Sequence, residues 1–218
     1  MTNQDRTAHP DAVFVALEGI DGSGKSTQLK LLGEYLEAKG VPVFLTREPT
    51  DAPIGKLLRQ VLRGEVKSDY RAIAPLFAAD RLHHITVGDG TDGESLLGKL
   101  SRGISVLTDR YYFSSYAYHS VDVPMDWVIE CNREAADLLR PDLTVFIDVS
   151  PETAMARITA GRDSTELFET KERLSLVREK YLEAFARLSG EEKVLVVDGN
   201  RPPEEISAEI CAAVGSLR

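Results

Sequence analysis

The chain has 218 residues, of which 43% are hydrophobic and 28% charged, with a formal net charge of −9. This is the length and composition of one soluble α/β domain with a proper core. The acidic balance argues against a broad nucleic-acid-binding face, and no apolar run approaches the length of a membrane span. The polar start from Thr2 to Asp11 has no signal-peptide core, so residues 1–12 are expected to be a disordered polar tail. Strands are predicted at 13–18, 41–46, 104–108, 143–149 and 194–198. Helices are predicted at 25–39, 54–63, 70–87, 125–139, 151–159, 171–188 and 203–217. Cys131 and Cys211 have no metal-ligand spacing and read as structural thiols in a reducing compartment, so a cytoplasmic location is expected.

Several strands are near-continuous apolar runs, such as Val13-Phe14-Val15-Ala16-Leu17. That pattern belongs to a parallel sheet covered by helices on both faces. Alternating strands and helices give a doubly wound three-layer sandwich, here with five parallel strands in a single domain from 13 to 218. Gly88-Asp89-Gly90-Thr91-Asp92-Gly93 is predicted as a flexible acidic loop that ends the helix carrying Arg81.

Gly19-Ile20-Asp21-Gly22-Ser23-Gly24-Lys25-Ser26 satisfies G-x-x-x-x-G-K-[ST] between the first predicted strand and the first predicted helix. Its glycines let successive N–H groups turn toward one phosphate, and the helix that opens at Ser26-Thr27 adds its positive end. Gly19 to Thr27 are therefore expected to hold a nucleoside polyphosphate, which makes the fold class that of a P-loop NTPase. Lys25 neutralises the β- and γ-phosphates, and the Ser26 hydroxyl suits Mg²⁺. Asp109-Arg110-Tyr111 follows the apolar run Ile104-Ser105-Val106-Leu107, at the carboxyl edge where such sheets bind ligands. Asp109 is placed to hold Mg²⁺ through water and Arg110 to reach a phosphate; alternatively, Asp109 caps the next helix with Arg110 on the surface. There is no Asn-Lys-x-Asp motif, no His/Cys/carboxylate cluster of metal-ligand spacing and no Gly-x-Ser-x-Gly turn. Phosphoryl transfer is the chemistry that remains.

The segments 14–27 (FVALEGIDGSGKST), Thr46-Arg47-Glu48-Pro49, 75–83 (PLFAADRLH), 108–119 (TDRYYFSSYAYH) and 141–149 (PDLTVFIDV) resemble those of thymidylate kinase in kind, order and spacing. The phosphate loop is common to many families, whereas Arg-Glu-Pro, Phe-x-x-x-Arg and Asp-Arg-Tyr together are far narrower. The resemblance runs from about Phe14 to about Asp198. It implies transfer of the γ-phosphoryl group of ATP to dTMP, assisted by Mg²⁺, in a homodimer.

Phe77 and Arg81 are four residues apart on a predicted helix and share one face. The resemblance implies that Phe77 stacks on the thymine ring and that Arg81 hydrogen-bonds a base carbonyl. It likewise implies that Glu48 belongs to the substrate site, that Arg59 grips the acceptor monophosphate, and that Ser114 and Ser115, in the turn after Asp-Arg-Tyr, lie near the nucleobase. Asp21 and Asp109 would support the metal shell or the acceptor. Some thymidylate kinases carry an arginine within the phosphate loop; here Gly22 and Ser23 stand there. The catalytic cation is then expected from a lid at 159–169, with Arg162 the first candidate and Arg157 the second. As isolated residues, Phe77 would read as core, the arginines as solvated charges and the serines as helix caps. Trp127, His83 and His84 are assigned to packing and surface.

Two departures from the family pattern stand out. His119 occupies a position where the family usually has glutamine, and an imidazole cannot mimic both halves of an amide. Residues 88–93 form a loop where similar proteins continue a helix, in a region through which related enzymes dimerise. His119 keeps open a second reading, a kinase of another deoxynucleoside monophosphate or of a deoxynucleoside. A non-catalytic nucleotide-binding module is the third, against which Lys25, Ser26, Asp109 and Arg110 all count.

Overall fold

Five strands, β1 (Phe14–Glu18), β2 (Val43–Arg47), β3 (Ser105–Asp109), β4 (Leu143–Asp148) and β5 (Val194–Asp198), form one sheet in the order β2-β3-β1-β4-β5. All neighbours are parallel. The computed structural model describes residues 11–161 and 170–217. The connections are helical: α1 (Lys25–Ala38), α2 (Pro53–Leu62), α3 (Tyr70–Thr86), α4 (Leu96–Ser101), α5 (Tyr112–His119), α6 (Met125–Leu138), α7 (Pro151–Gly161), α8 (Lys171–Arg187) and α9 (Pro203–Gly215).

Alternation along β1 divides the core in two. Val13, Val15 and Leu17 meet Leu32 and Leu36 of α1 and Ile206, Ile210 and Val214 of α9. Phe14 and Ala16 face the other way, toward Tyr111, Phe113, Val128, Phe146 and Tyr181. Each such aliphatic side chain, fully buried, contributes about 1.5–3 kcal/mol. Because both faces are covered, β1 is buried throughout, while the outer strands expose Leu45 and Val196.

The predicted elements are present with ends displaced by one or two residues. Two further helices, α4 and α5, are not among those predicted. Helix α5 (YFSSYAYH) is buried on every side, so it has no apolar stripe for a periodicity argument to find. Ser114 and Ser115, expected in a turn, therefore lie inside a helix. Helix α4 is one short turn-and-a-half started by Ser95, whose hydroxyl accepts the Gly98 N–H at 3.0 Å.

Helix α3 ends at Thr86, before the acidic loop, as the glycines imply. The loop is tied to the body at its start. Asp89 is buried and accepts from the Thr46 hydroxyl at 3.2 Å and the Thr91 N–H at 2.9 Å. Of the expected lid, residues 159–161 are the last turn of α7, and Arg162 lies outside the described residues. Most of the expected tail, residues 1–10, lies outside them as well.

Candidate active site

Parallel register brings three strand ends to one crevice. Leu17 pairs with Asp109 and Arg47 pairs with Asp109, so the chain leaving β1, β2 and β3 emerges side by side. The loop from Gly19 to Gly24 leaves β1 there and α1 begins at Lys25. Gly22 has φ +78°, and a Cβ on it would lie 2.5 Å from the Ala154 carbonyl oxygen of α7. Helix α7 thus packs directly on the loop, and no side chain, let alone an arginine, fits at that position. Gly19 is similarly confined, since its Cβ would lie 2.8 Å from the Ile147 carbonyl oxygen.

Lys25 is buried, and its ammonium donates to the carbonyls of Gly19 at 3.1 Å and Ile20 at 3.0 Å. Burial and the neighbouring Arg110 cation lower its pKa, against the opposing pull of Asp109, Asp21 and Glu18. The Ser26 hydroxyl donates to Asp109 Oδ2 at 2.7 Å. A hydroxyl and a carboxylate together at the mouth of the loop are the hard oxygen donors that Mg²⁺ takes alongside water and phosphate. Among the described residues no group of three or more His, Cys, Asp or Glu could hold a metal alone. Thr27 and Ser26 line the open cleft above, a space of about 580 Å³ that also reaches Arg59, Asp109 and Arg157.

Arg110 holds the floor of the crevice. Its backbone is left-handed, with φ +74°, an uncommon conformation for a residue with a side chain. Its guanidinium donates to Asp21 at 2.6 Å, Ser114 Oγ at 3.0 Å, the Tyr118 hydroxyl at 3.1 Å and the Gly19 carbonyl at 3.3 Å. The Tyr118 hydroxyl in turn donates to Asp21 at 2.9 Å and accepts the Asp21 N–H at 3.0 Å. Burial works against charge on Asp21, but Arg110 and Lys25 outweigh it and hold the carboxyl below its ordinary range.

Beyond Arg110 lies a smaller cavity of about 120 Å³, bounded by Pro49, Leu62, Phe77, Ser114, Ser115 and His119. It shares Asp21, Arg110, Pro49 and Leu62 with the open cleft. The rings of Phe77 and His119 are 4.9 Å apart and inclined at 53°. His119 is 2% exposed, and its Nδ1 is buried without a hydrogen-bond partner. Burial first, then the cations Arg81 and Arg173, push its pKa down to about 3. The ring is neutral at any ordinary pH.

Arg81 shares the Phe77 face of α3 but is one layer behind the cavity wall. It is 1% exposed and pairs with the equally buried Glu48 at 2.6 Å. Its second terminal nitrogen, Nη1, donates to Ser115 Oγ at 3.1 Å and to Asn132 Oδ1 of α6. Glu48 also meets His84 Nδ1 at 3.2 Å. Arg59, on α2, donates to the Pro49 carbonyl at 2.9 Å and to Asp51 at 2.7 Å, at the edge of the open cleft. Arg157 reaches down from α7 to the Ser23 carbonyl at 3.3 Å and the Gly199 carbonyl at 2.9 Å. On its far side is a third recess between the loop and α9, bordered by Ser23, Thr27, Gln28, Arg201 and Pro203.

The sequence-predicted residues of the loop, Glu48, Arg59, Phe77, Asp109, Arg110, Ser114, Ser115, His119 and Arg157 thus converge on two joined spaces, with Arg81 supporting the wall. Reading the sequence did not single out Tyr118, Glu18, Asn132 or Gln28. A polar residue closing an apolar strand (Glu18) and one on the buried side of an amphipathic helix (Asn132) are signals that were available.

A phosphate loop under a parallel sheet's carboxyl edge, joined to a narrow cavity walled by Phe77 and His119, defines a nucleotide-binding phosphotransferase of the P-loop class. A family model described as thymidylate kinase matches residues 17–210. A probable thymidylate kinase of Pyrococcus horikoshii is 39% identical over 92% of this chain and 95% of its own. The thymidylate kinase of Symbiobacterium thermophilum is 37% identical over 91% of both chains. A probable thymidylate kinase of Methanococcus aeolicus is 38% identical over 90% of this chain and 93% of its own. The chain belongs to the thymidylate kinase family.

Proposed function

We propose that this protein phosphorylates dTMP to dTDP with ATP as donor. The observation that carries the reading is the shared wall. Asp21 and Arg110 border both the open cleft over the phosphate loop and the small aromatic cavity, so a donor phosphate and an acceptor phosphate meet at one arginine. ATP lays its phosphates on the N–H groups of residues 19–27, and Lys25 exchanges the loop carbonyls for phosphate oxygens. The recess between Arg157 and Gln28 receives the donor's base.

The pyrimidine enters beside Phe77, with Ser115 and His119 at its edge; Arg81 and Glu48 keep that wall in place. Arg59 and Arg110 grip the acceptor phosphate. Its oxygen is already anionic and attacks in line without a strong base, so the chain's contribution is positioning and charge stabilisation. Ser26 and Asp109 would hold Mg²⁺, which neutralises charge on the donor phosphates. With Gly22 pressed against α7, the remaining cation comes from Arg162, the first candidate, while Arg157, engaged by the Ser23 and Gly199 carbonyls, borders the donor recess. We further read the protein as a cytoplasmic homodimer. Its two free thiols suit a reducing compartment, and Trp127 stands 36% exposed on the outer helix α6. No described helix is long and apolar enough to cross a membrane.

The test is ADP release across dTMP, dUMP, dCMP, dGMP and thymidine. Preference for dTMP is expected; a preferred acceptor other than dTMP sinks the reading. In the same assay, Arg162→Ala is expected to lower turnover by orders of magnitude with dTMP affinity nearly intact.

A further inference from the structure

Glu18 ends β1 beneath the phosphate loop with no exposed surface, and among the described residues no cation forms an ion pair with it. A carboxylate in that position is costly unless its oxygens are fully occupied. They are. Oε1 accepts the N–H groups of Tyr111 at 2.8 Å and Ser114 at 3.1 Å, from the start of α5. Oε2 accepts the hydroxyls of Ser114 at 2.5 Å and Tyr181 at 2.9 Å. The two N–H partners at Oε1 only donate, so an amide must put its oxygen there, and its NH₂ would then turn the Ser114 and Tyr181 hydroxyls from donors into acceptors.

The Ser114 hydroxyl makes this more than a packing detail. It has one proton and two lone pairs. The proton goes to Glu18, and a lone pair accepts from the Arg110 guanidinium at 3.0 Å; the Tyr181 hydroxyl, 2.8 Å away, gives its own proton to Glu18. The Glu18 carboxylate therefore anchors, through its bonds to the Ser114 hydroxyl and N–H, the oxygen whose lone pair Arg110 meets. We propose that Glu18 is a positioning residue for phosphoryl transfer, acting through Ser114 to fix the Arg110 guanidinium where the two spaces join. The inference rests on the reading that Arg110 contacts the acceptor phosphate.

The experiment compares Glu18→Gln, Ser114→Ala and the double variant by steady-state kinetics well below their melting temperatures. A hydrogen bond to a charged group is at stake, so each single variant should lose about tenfold or more in kcat with KM for ATP within about twofold. Because both act on one link, the double variant should be no worse than the poorer single. Multiplying losses, or Glu18→Gln with unchanged kcat and only a lower Tm, would overturn the proposal. If Glu18→Gln does not fold, Ser114→Ala is set against Tyr181→Phe, which leaves the link to Arg110 uncut. Ser114→Ala must then lose at least about fivefold more kcat, and equal losses refute the idea. Wild-type protein without dTMP-dependent ADP release would instead refute the functional reading.

Discussion

The phosphate loop and the aromatic cavity, which we propose as donor and acceptor sides, are built on opposite principles. The phosphate loop is contiguous, made of backbone, and shaped by glycines whose missing side chains let α7 close to within contact of Gly22. The aromatic cavity is assembled from the loop after β1, the turns after β2 and β3, and helices α2, α3 and α5, and it is lined by side chains. Its charges are spent internally, Arg81 on Glu48 and Arg110 on Asp21, before any substrate arrives. A backbone cradle tolerates no added atom, whereas a side-chain cavity tolerates exchange provided its buried charges stay paired. This contrast is consistent with an intact loop motif beside an unusual histidine in the cavity.

Gly22→Ala probes the contrast most severely. Alanine must adopt φ +78° and push against the Ala154 carbonyl, so turnover should fall about a hundredfold or more, read as kcat with saturating ATP and dTMP. Retained turnover would mean that the loop yields as the cavity does. Next in size is Arg81→Leu, which leaves Glu48 buried without its cation. A loss of about 3–5 kcal/mol in denaturant-monitored stability is expected, and Glu48→Gln in the same background should restore part of it.

His119 ties stability to pH. The unfolded imidazole takes up a proton near pH 6.5, but the folded one refuses it until about 3, so stability is fully present above pH 6.5 and lost as pH falls through that window. The slope should reach about 1.4 kcal/mol per pH unit from this residue, and His119→Gln should remove it. An unchanged slope in that variant would place the ring in a solvated setting. The smallest effect belongs to Arg157→Ala, which cuts two hydrogen bonds to backbone carbonyls at the donor recess. KM for ATP should rise about three- to tenfold, with KM for dTMP within about twofold.

What could be read from the chain alone follows the same division. The apolar runs determined the parallel sandwich, and residues 19–27 determined the phosphate-loop motif and its place between β1 and α1, because strand burial and a strand–loop–helix turn are set by neighbours in sequence. Asp109 and Arg110 were placed for the same reason, since a strand's end is a local fact. Helix α5 was not legible, because a helix buried all round shows no stripe. Nor could the sequence show that Arg81 stands behind the wall with Glu48 and Asn132, or that Glu18 reaches Arg110 through Ser114. Those pairings join residues far apart in the chain, and burial decides them: once a charge leaves water it must take whatever partners the packed sheet and helices bring within reach.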